Sequence, residues 1–153
     1  MNVKPIPDGY HAVTPYLCIK GVAAAIEFYK KAFGAKESMR ILMPDGKIGH
    51  AEISIGDSCI SLADEFPEEN FRSPESIGGS PVHIHLYVQD VDRIVKQAIA
   101  LGAKTLKPVM AQFYGDRSGS LEDPFGHIWH VATHIKDLTP EEIQKAADTA
   151  CAS

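Results

Sequence analysis

The chain has 153 residues, 44% of them apolar and 23% charged, with a net charge of −5. That size and balance give a globular protein with a substantial core, and the acidic charge excludes a protein that lives on nucleic acid, which needs clustered Lys and Arg. No apolar run approaches the roughly 18 residues of a membrane span, and the N-terminal Met1-Asn2-Val3-Lys4-Pro5-Ile6-Pro7 lacks the apolar stretch of a secretory signal.

The elements come in an order that repeats. Residues 12–19 read as a strand, with Val13, Leu17 and Ile19 on one face and Thr14, Tyr16 and Cys18 on the other. Residues 22–33 read as a helix, because Val22, Ile26, Tyr29 and Phe33 recur at helical spacing, flanked by Ala25, Phe28 and Ala32. Gly34 stands where a residue of positive φ ends a helix. Residues 37–43 and 47–55 are strands joined by the turn Pro44-Asp45-Gly46, and Cys59 to Ala63 is a further strand after Gly56-Asp57. Residues 65–81 are rich in Pro, Gly, Ser and charge, and read as a linker long enough to fold over a pocket.

The plan then returns. A strand at 82–89 leads to a helix at 91–101, built on Val91, Ile94, Val95, Ala98 and Leu101 and stopped by Gly102-Ala103-Lys104, which repeats the Gly34-Ala35-Lys36 of the first half. Strands follow near 104–114, 117–122 and 127–134, the last after the turn Asp123-Pro124-Phe125-Gly126. A closing helix at 140–150 starts with Thr139 as its cap, Pro140 in its first turn and Glu142 completing a capping box; it is expected to cover a sheet edge or a neighbouring subunit. Self-similarity at this scale sets the fold class: α+β, with two βαβββ modules, about 12–64 and 82–134, pairing into a cup-shaped mixed sheet with the helices outside.

Alternation across the strands then sorts the polar residues. With Ala51, Ile53 and Ile55 under a helix, His50, Glu52 and Ser54 go to the open face; with Trp129 and Val131 under a helix, Ile128, His130 and Ala132 do. The same rule puts His83, His85 and Tyr87 opposite the apolar set of their strand. Glu52, His83 and His130 form a candidate set of two imidazoles and a carboxylate for a divalent metal (Zn, Ni, Mn or Fe), with positions left over for substrate. The alternative is a solvated cleft of hydrogen-bonded polar side chains. His85 or His50 is a candidate proton acceptor. The segment Gln112-Phe113-Tyr114-Gly115-Asp116-Arg117-Ser118-Gly119 suits a pocket wall, in which Arg117 orients an anionic or carbonyl-bearing ligand and Phe113 and Tyr114 stack on it; it equally suits a twisted hairpin whose Arg117 pairs with Asp116 or Glu122. Tyr16, His50 and Tyr87 complete the candidate ligand-binding residues. Three cysteines, Cys18, Cys59 and Cys151, without CxxC spacing suggest neither a disulfide framework nor a Cys-rich zinc site, so a reducing cytoplasm is the expected location.

These residues together resemble the vicinal oxygen chelate superfamily of glyoxalases, extradiol dioxygenases, fosfomycin resistance enzymes and metal-free bleomycin resistance proteins. The resemblance runs over about residues 12–134 and is carried by Ala25-Ile26-Glu27-Phe28-Tyr29 with Phe33-Gly34, His50-Ala51-Glu52-Ile53, Asp90-Val91-Asp92 and Asp123-Pro124-Phe125-Gly126-His127-Ile128-Trp129. It is nearest to the PhnB-like, glyoxalase-like group. It implies a metal site at Thr14, Glu52, His83 and His130, where Thr14 replaces the His or Gln of glyoxalase I and His130 replaces its Glu. It further implies a homodimer that acts on a small oxygen-bearing molecule by lyase, isomerase or dioxygenase chemistry, with Glu52, His85 and Arg117 catalytic. The metal-free bleomycin resistance type implies instead the capture of an aromatic or cationic small molecule.

Overall fold

The computed structural model describes residues 2–152, and the chain divides into two compact units, Met1–Ser80 and Pro81–Ser153. The first contains β1 (Tyr16–Ile19), α1 (Val22–Phe33), β2 (Lys36–Leu42), β3 (Ile48–Ile55), β4 (Ser58–Asp64) and the four-residue α2 (Pro74–Ile77). The second contains β5 (Ile84–Tyr87), α3 (Val91–Ala100), β6 (Lys104–Ala111), β7 (Asp116–Glu122), β8 (Ile128–His134) and α4 (Pro140–Ala150). Each unit is a four-stranded mixed sheet of the same topology, β1-β4-β3-β2 and β5-β8-β7-β6, with one parallel pair, β1 with β4 and β5 with β8. The α+β class and the βαβββ repeat expected from the sequence are therefore present in both halves.

The repeat has one physical logic. A parallel neighbour requires a crossover, and a helix supplies it in each unit. In unit 1, α1 buries Val22, Ala25, Ile26, Phe28, Tyr29, Ala32 and Phe33; in unit 2, α3 buries Val91, Ile94, Val95 and Ala98. Burying each large apolar side chain is worth about 1.5–3 kcal/mol, so these helix faces account for much of each core. Carboxylates tie the turns around them. Asp64 accepts Gly21 N (3.1 Å) and Val22 N (3.0 Å) through Oδ1 and Ile48 N (2.7 Å) through Oδ2, joining the start of α1 to the start of β3. Asp123 accepts Phe125 N (2.9 Å) and His127 N (3.0 Å) through Oδ1 and the indole Nε1–H of the fully buried Trp129 (2.9 Å) through Oδ2.

Several expectations are corrected. The first strand starts at Tyr16, not residue 12, leaving Thr14 outside it and Val13 exposed. Pro15 has no N–H to give a ladder, and its carbonyl alone joins, accepting Ser61 N at 2.9 Å. The strand expected at 82–89 covers only Ile84–Tyr87, so His83 precedes it; its partner β8 begins at Ile128, and Ile84 already pairs with Trp129. Cys18 and Ala132 belong to the open faces by alternation but are buried; burial pushes the Cys18 thiol up to about 11, with the charges of Glu65 and Asp64 adding to it. Strand β6 ends at Ala111, and Gln112 to Gly115 make a turn closed by Gln112 N to Asp116 O at 2.7 Å. Gly115 there has φ 101°, and a Cβ would stand 2.2 Å from the carbonyl oxygen of Lys136, so no other residue fits. Pro108 sits in β6, an edge strand, at an irregularity in the register between Lys107 and Met110.

The segment read as a linker long enough to fold over a pocket has local structure of its own within unit 1. Phe66 and Phe71 form a two-way backbone bridge (2.9 and 3.1 Å) around a 3₁₀ turn at Pro67–Glu69, closed by Asn70 in the left-handed region at φ 59°. The Glu65 carboxylate then accepts both N (2.7 Å) and Oγ (2.6 Å) of Ser73, hydrogen bonds that hold its pKa down to about 2. The closing helix α4 begins as expected, Thr139 Oγ1 accepting Glu142 N at 3.1 Å, and none of its residues is buried.

Replacing Asp123 by Ala removes the acceptor of three hydrogen bonds, one from a buried indole. The expected loss is about 3 kcal/mol, seen as a melting temperature lower by roughly 6–12 °C; unchanged melting by calorimetry overturns this assignment.

Candidate functional site

In unit 1 the open face carries a connected chain of polar groups. Glu52 and His50 lie two apart on β3, so strand alternation puts them on one face, while Ala51 and Ile53 are buried on the other. His50 Nε2 lies 3.1 Å from Glu52 Oε1, and its Nδ1 lies 3.0 Å from the Tyr16 hydroxyl. Glu52 Oε2 accepts the hydroxyl of Tyr10, from the segment that precedes β1. Both carboxylate oxygens are thus taken by donors, and these bonds, that from Tyr10 first and that from His50 next, hold the Glu52 carboxyl below its usual range. The reciprocal effect pushes the Tyr10 phenol up to about 12.

With His50 neutral, the hydrogen-bond directions of this chain follow from valence. An ionised carboxylate only accepts, so His50 Nε2 carries the proton that faces Glu52. In the neutral imidazole Nδ1 is then the acceptor, and the Tyr16 hydroxyl donates to it. The sequence is Tyr16 O–H to His50 to Glu52, with Tyr10 donating from the far side.

Beside this chain lies a hollow of about 440 Å³, lined by Tyr16, Met43, Ala63, Phe66, Glu69 and Phe71. Tyr16 belongs to both features. Its ring, half exposed, stands edge-on to His50 (centroids 5.5 Å) and to Phe71 (5.5 Å). The folded linker supplies Phe66 and Phe71, so the bridge between them shapes the wall.

In unit 2 the open face carries a histidine cluster. His130 Nδ1 lies 2.7 Å from Ser120 Oγ, and its Nε2 lies 2.9 Å from His83 Nδ1. The His85 ring stands 6.5 Å from His130 and 4.6 Å from Tyr87 between centroids. Burial, and then the charges of His83, His85 and Lys107, lower the pKa of His130, favouring the neutral imidazole. Next along the face, the buried Asp116 accepts the Tyr87 hydroxyl (2.9 Å) and pairs with His134 Nδ1 (2.7 Å), which raises the pKa of His134. The Tyr114 hydroxyl lies 3.2 Å from Ser118 Oγ, with Phe113 edge-on to the Tyr114 ring at 5.3 Å.

The expected residues therefore fall into two groups. Tyr16, His50 and Glu52 meet in unit 1; His83, His85, Tyr87 and His130 meet in unit 2, with Phe113 and Tyr114 on the turn before β7. Arg117 is directed otherwise. It forms a two-pronged pair with Asp92 of α3 (Nε to Oδ2 2.8 Å, Nη2 to Oδ1 2.9 Å), on the helix-bearing side of its strand, and neither Asp116 nor Glu122 is its partner in that pair. The expected metal ligands meet a similar obstacle. Glu52 has both oxygens engaged by Tyr10 and His50, so it does not fit as a free ligand, and among the described residues no group of three or more His, Cys, Asp or Glu side chains is arranged to hold an ion. Sequence reasoning missed Tyr10, Ser120 and His134. Tyr10 lies in irregular chain and gives no periodic signal. Ser120 and His134 were accessible by counting outward from the turn at Asp123–Gly126, which sets Ser120 opposite His130 and Asp116 opposite His134.

Relatives agree with the architecture. An uncharacterized protein of Mycobacterium bovis is 39% identical over 149 residues, covering 95% of this chain and 94% of its own. The solved structure of a gene product from Arabidopsis thaliana, 28% identical, matches with a TM-score of 0.66 over 80% of this chain and 98% of that one. The PhnB protein from Bacillus cereus, described as a putative 3-demethylubiquinone-9 3-methyltransferase, shares the fold at 16% identity and a TM-score of 0.65, over 80% of this chain and 99% of its own. The family model of the Glyoxalase/Bleomycin resistance protein/Dioxygenase superfamily matches residues 10–131, and the chain belongs to that superfamily.

Proposed function

We propose that this protein binds a planar, largely apolar small molecule in the hollow of unit 1 without a metal ion. The observation that carries the reading is the double use of Tyr16, which walls the hollow with Phe66 and Phe71 and also ends the hydrogen-bonded chain to Glu52. Aromatic walls with few polar groups suit flat ligands, and a carboxylate already saturated by Tyr10 and His50 has little left to offer a cation. Superfamily membership supports a small-molecule ligand of the kind that metal-free members take up. A screen of aromatic compounds by thermal shift, run with a chelator present, tests it: hits are expected to raise the melting temperature, and the Phe71→Ala variant is expected to lose at least about tenfold in affinity, the worth of one aromatic contact. Equal binding by wild type and Phe71→Ala removes the hollow from consideration.

A second reading is favoured by one feature of unit 2. His83 Nδ1 and His130 Nε2 face each other at 2.9 Å, with His85 close by and His130 biased toward the neutral, ligating form. A divalent ion held by His83 and His130 would polarise an oxygen of the substrate, the chemistry of a lyase, isomerase or dioxygenase of this superfamily, with His85 as a proton acceptor beside it. Elemental analysis of protein purified without a histidine tag decides it: about one ion per chain, abolished by His130→Ala, is the outcome this reading requires, and metal-free protein that does not take up Zn, Ni, Mn or Fe on dialysis rejects it.

The pairing of the two units into one cup, within a chain or between two, and a cytoplasmic homodimer belong to the same proposal. Exposed Met39, Ile41 and Leu42 on the edge strand β2 supply apolar surface for association. Light scattering is expected to give twice the mass of one chain; a monomer at micromolar concentration contradicts it.

A further inference from the structure

The hydrogen-bonded chain on unit 1 has a direction, and that direction restricts the ligand. We infer that the hollow selects molecules presenting a hydrogen-bond donor, a hydroxyl or N–H on an aromatic ring, to the oxygen of Tyr16, and that Glu52 serves as the anchor of this polarity in place of a metal ligand. This rests on the proposed binding of a planar ligand in the hollow.

The steps are local. Glu52 is held ionised by donors on both oxygens, so it fixes the proton of His50 on Nε2. In the neutral imidazole His50 Nδ1 is then a lone pair 3.0 Å from the Tyr16 hydroxyl, which spends its only proton there. What Tyr16 has left is its oxygen lone pairs, so toward a ligand it acts as an acceptor. The other ionisable side chain lining the hollow, Glu69, is also an acceptor when ionised. A ligand that brings a carbonyl or ether oxygen meets acceptors with an acceptor, and one that brings a donor is satisfied. A polar group that the ligand covers and leaves unpaired is what gives such discrimination. Tyr10 contributes from outside the hollow: its hydroxyl occupies Glu52 Oε2 and keeps the carboxylate from turning away from His50.

A matched pair of probes reads the polarity. Beta-naphthol and its O-methyl ether have the same ring and differ in the donor, and both are fluorescent. In wild-type protein with a chelator present, the naphthol is expected to bind about tenfold more tightly than the ether, the worth of one hydrogen bond. Tyr16→Phe keeps the wall and removes the acceptor, so the two affinities are expected to converge. Glu52→Gln is the sharper variant: its amide donates as well as accepts, the proton of His50 is no longer fixed on Nε2, and the hydroxyl of Tyr16 is released to donate to the ether. The ratio is expected to fall toward unity there although Glu52 touches neither probe, and a merely structural role for Glu52 would weaken both probes and leave their ratio alone. Equal binding of both probes to wild type, or a ratio unmoved by Glu52→Gln in a variant that melts as wild type does, overturns the inference while leaving the hollow as a binding site. Binding of neither probe overturns the inference together with the proposal on which it rests.

Discussion

A sheet covered by a helix on one face must carry its polar side chains on the other, and the two halves of this chain obey that constraint with the same topology. In unit 1 the face of Ala51, Ile53 and Ile55 is buried, which leaves His50 and Glu52 on the opposite side. In unit 2 the burial of Trp129, Val131 and Leu121 does the same for His130 and Ser120. Neither polar cluster needs special backbone geometry. Each arises because apolar residues claim the covered face first, and the period of a strand assigns the rest.

The duplication has diverged in its chemistry while keeping its frame. The first half builds an anionic anchor, an imidazole and a phenol in series. The second sets two imidazoles, His83 and His85, beside His130, which a serine also contacts, and places a buried aspartate between Tyr87 and His134. A Tyr on the first strand of each half, Tyr16 or Tyr87, ends a path that runs to a carboxylate, through His50 in one case and directly to Asp116 in the other. One scaffold thus carries two electrostatic settings, consistent with a fold on which function follows the site more than the frame.

Strand alternation made much of this legible in advance. Helix faces, turn positions, the repeat itself and the common face of His50 with Glu52, or of His85 with Tyr87, follow from periods of 3.6 and 2. The strand ends were less legible: Pro15, with no N–H for the ladder, precedes a β1 that begins at Tyr16, and β5 begins at Ile84, so Thr14 and His83 lie outside them. Arg117 was misdirected for a related reason. Its composition suited a ligand, but its parity on β7 sends it to the helix side, where Asp92 receives it. Tyr10 was beyond any periodic argument, since an irregular segment takes its place by tertiary contact alone. Yet Tyr10 changes the chemistry most, by occupying the carboxylate that spacing had offered to a metal.

Pro108 gives the second sheet an asymmetry. It lies on β6, the rim of that sheet, where the register slips between Lys107 and Met110. A foreign strand arriving there finds a gap in the row of amide donors and the ammonium groups of Lys104 and Lys107 along the same rim. That border is guarded against zipping to other chains, so any partner it meets must be recognised through side chains and not by lengthening the sheet.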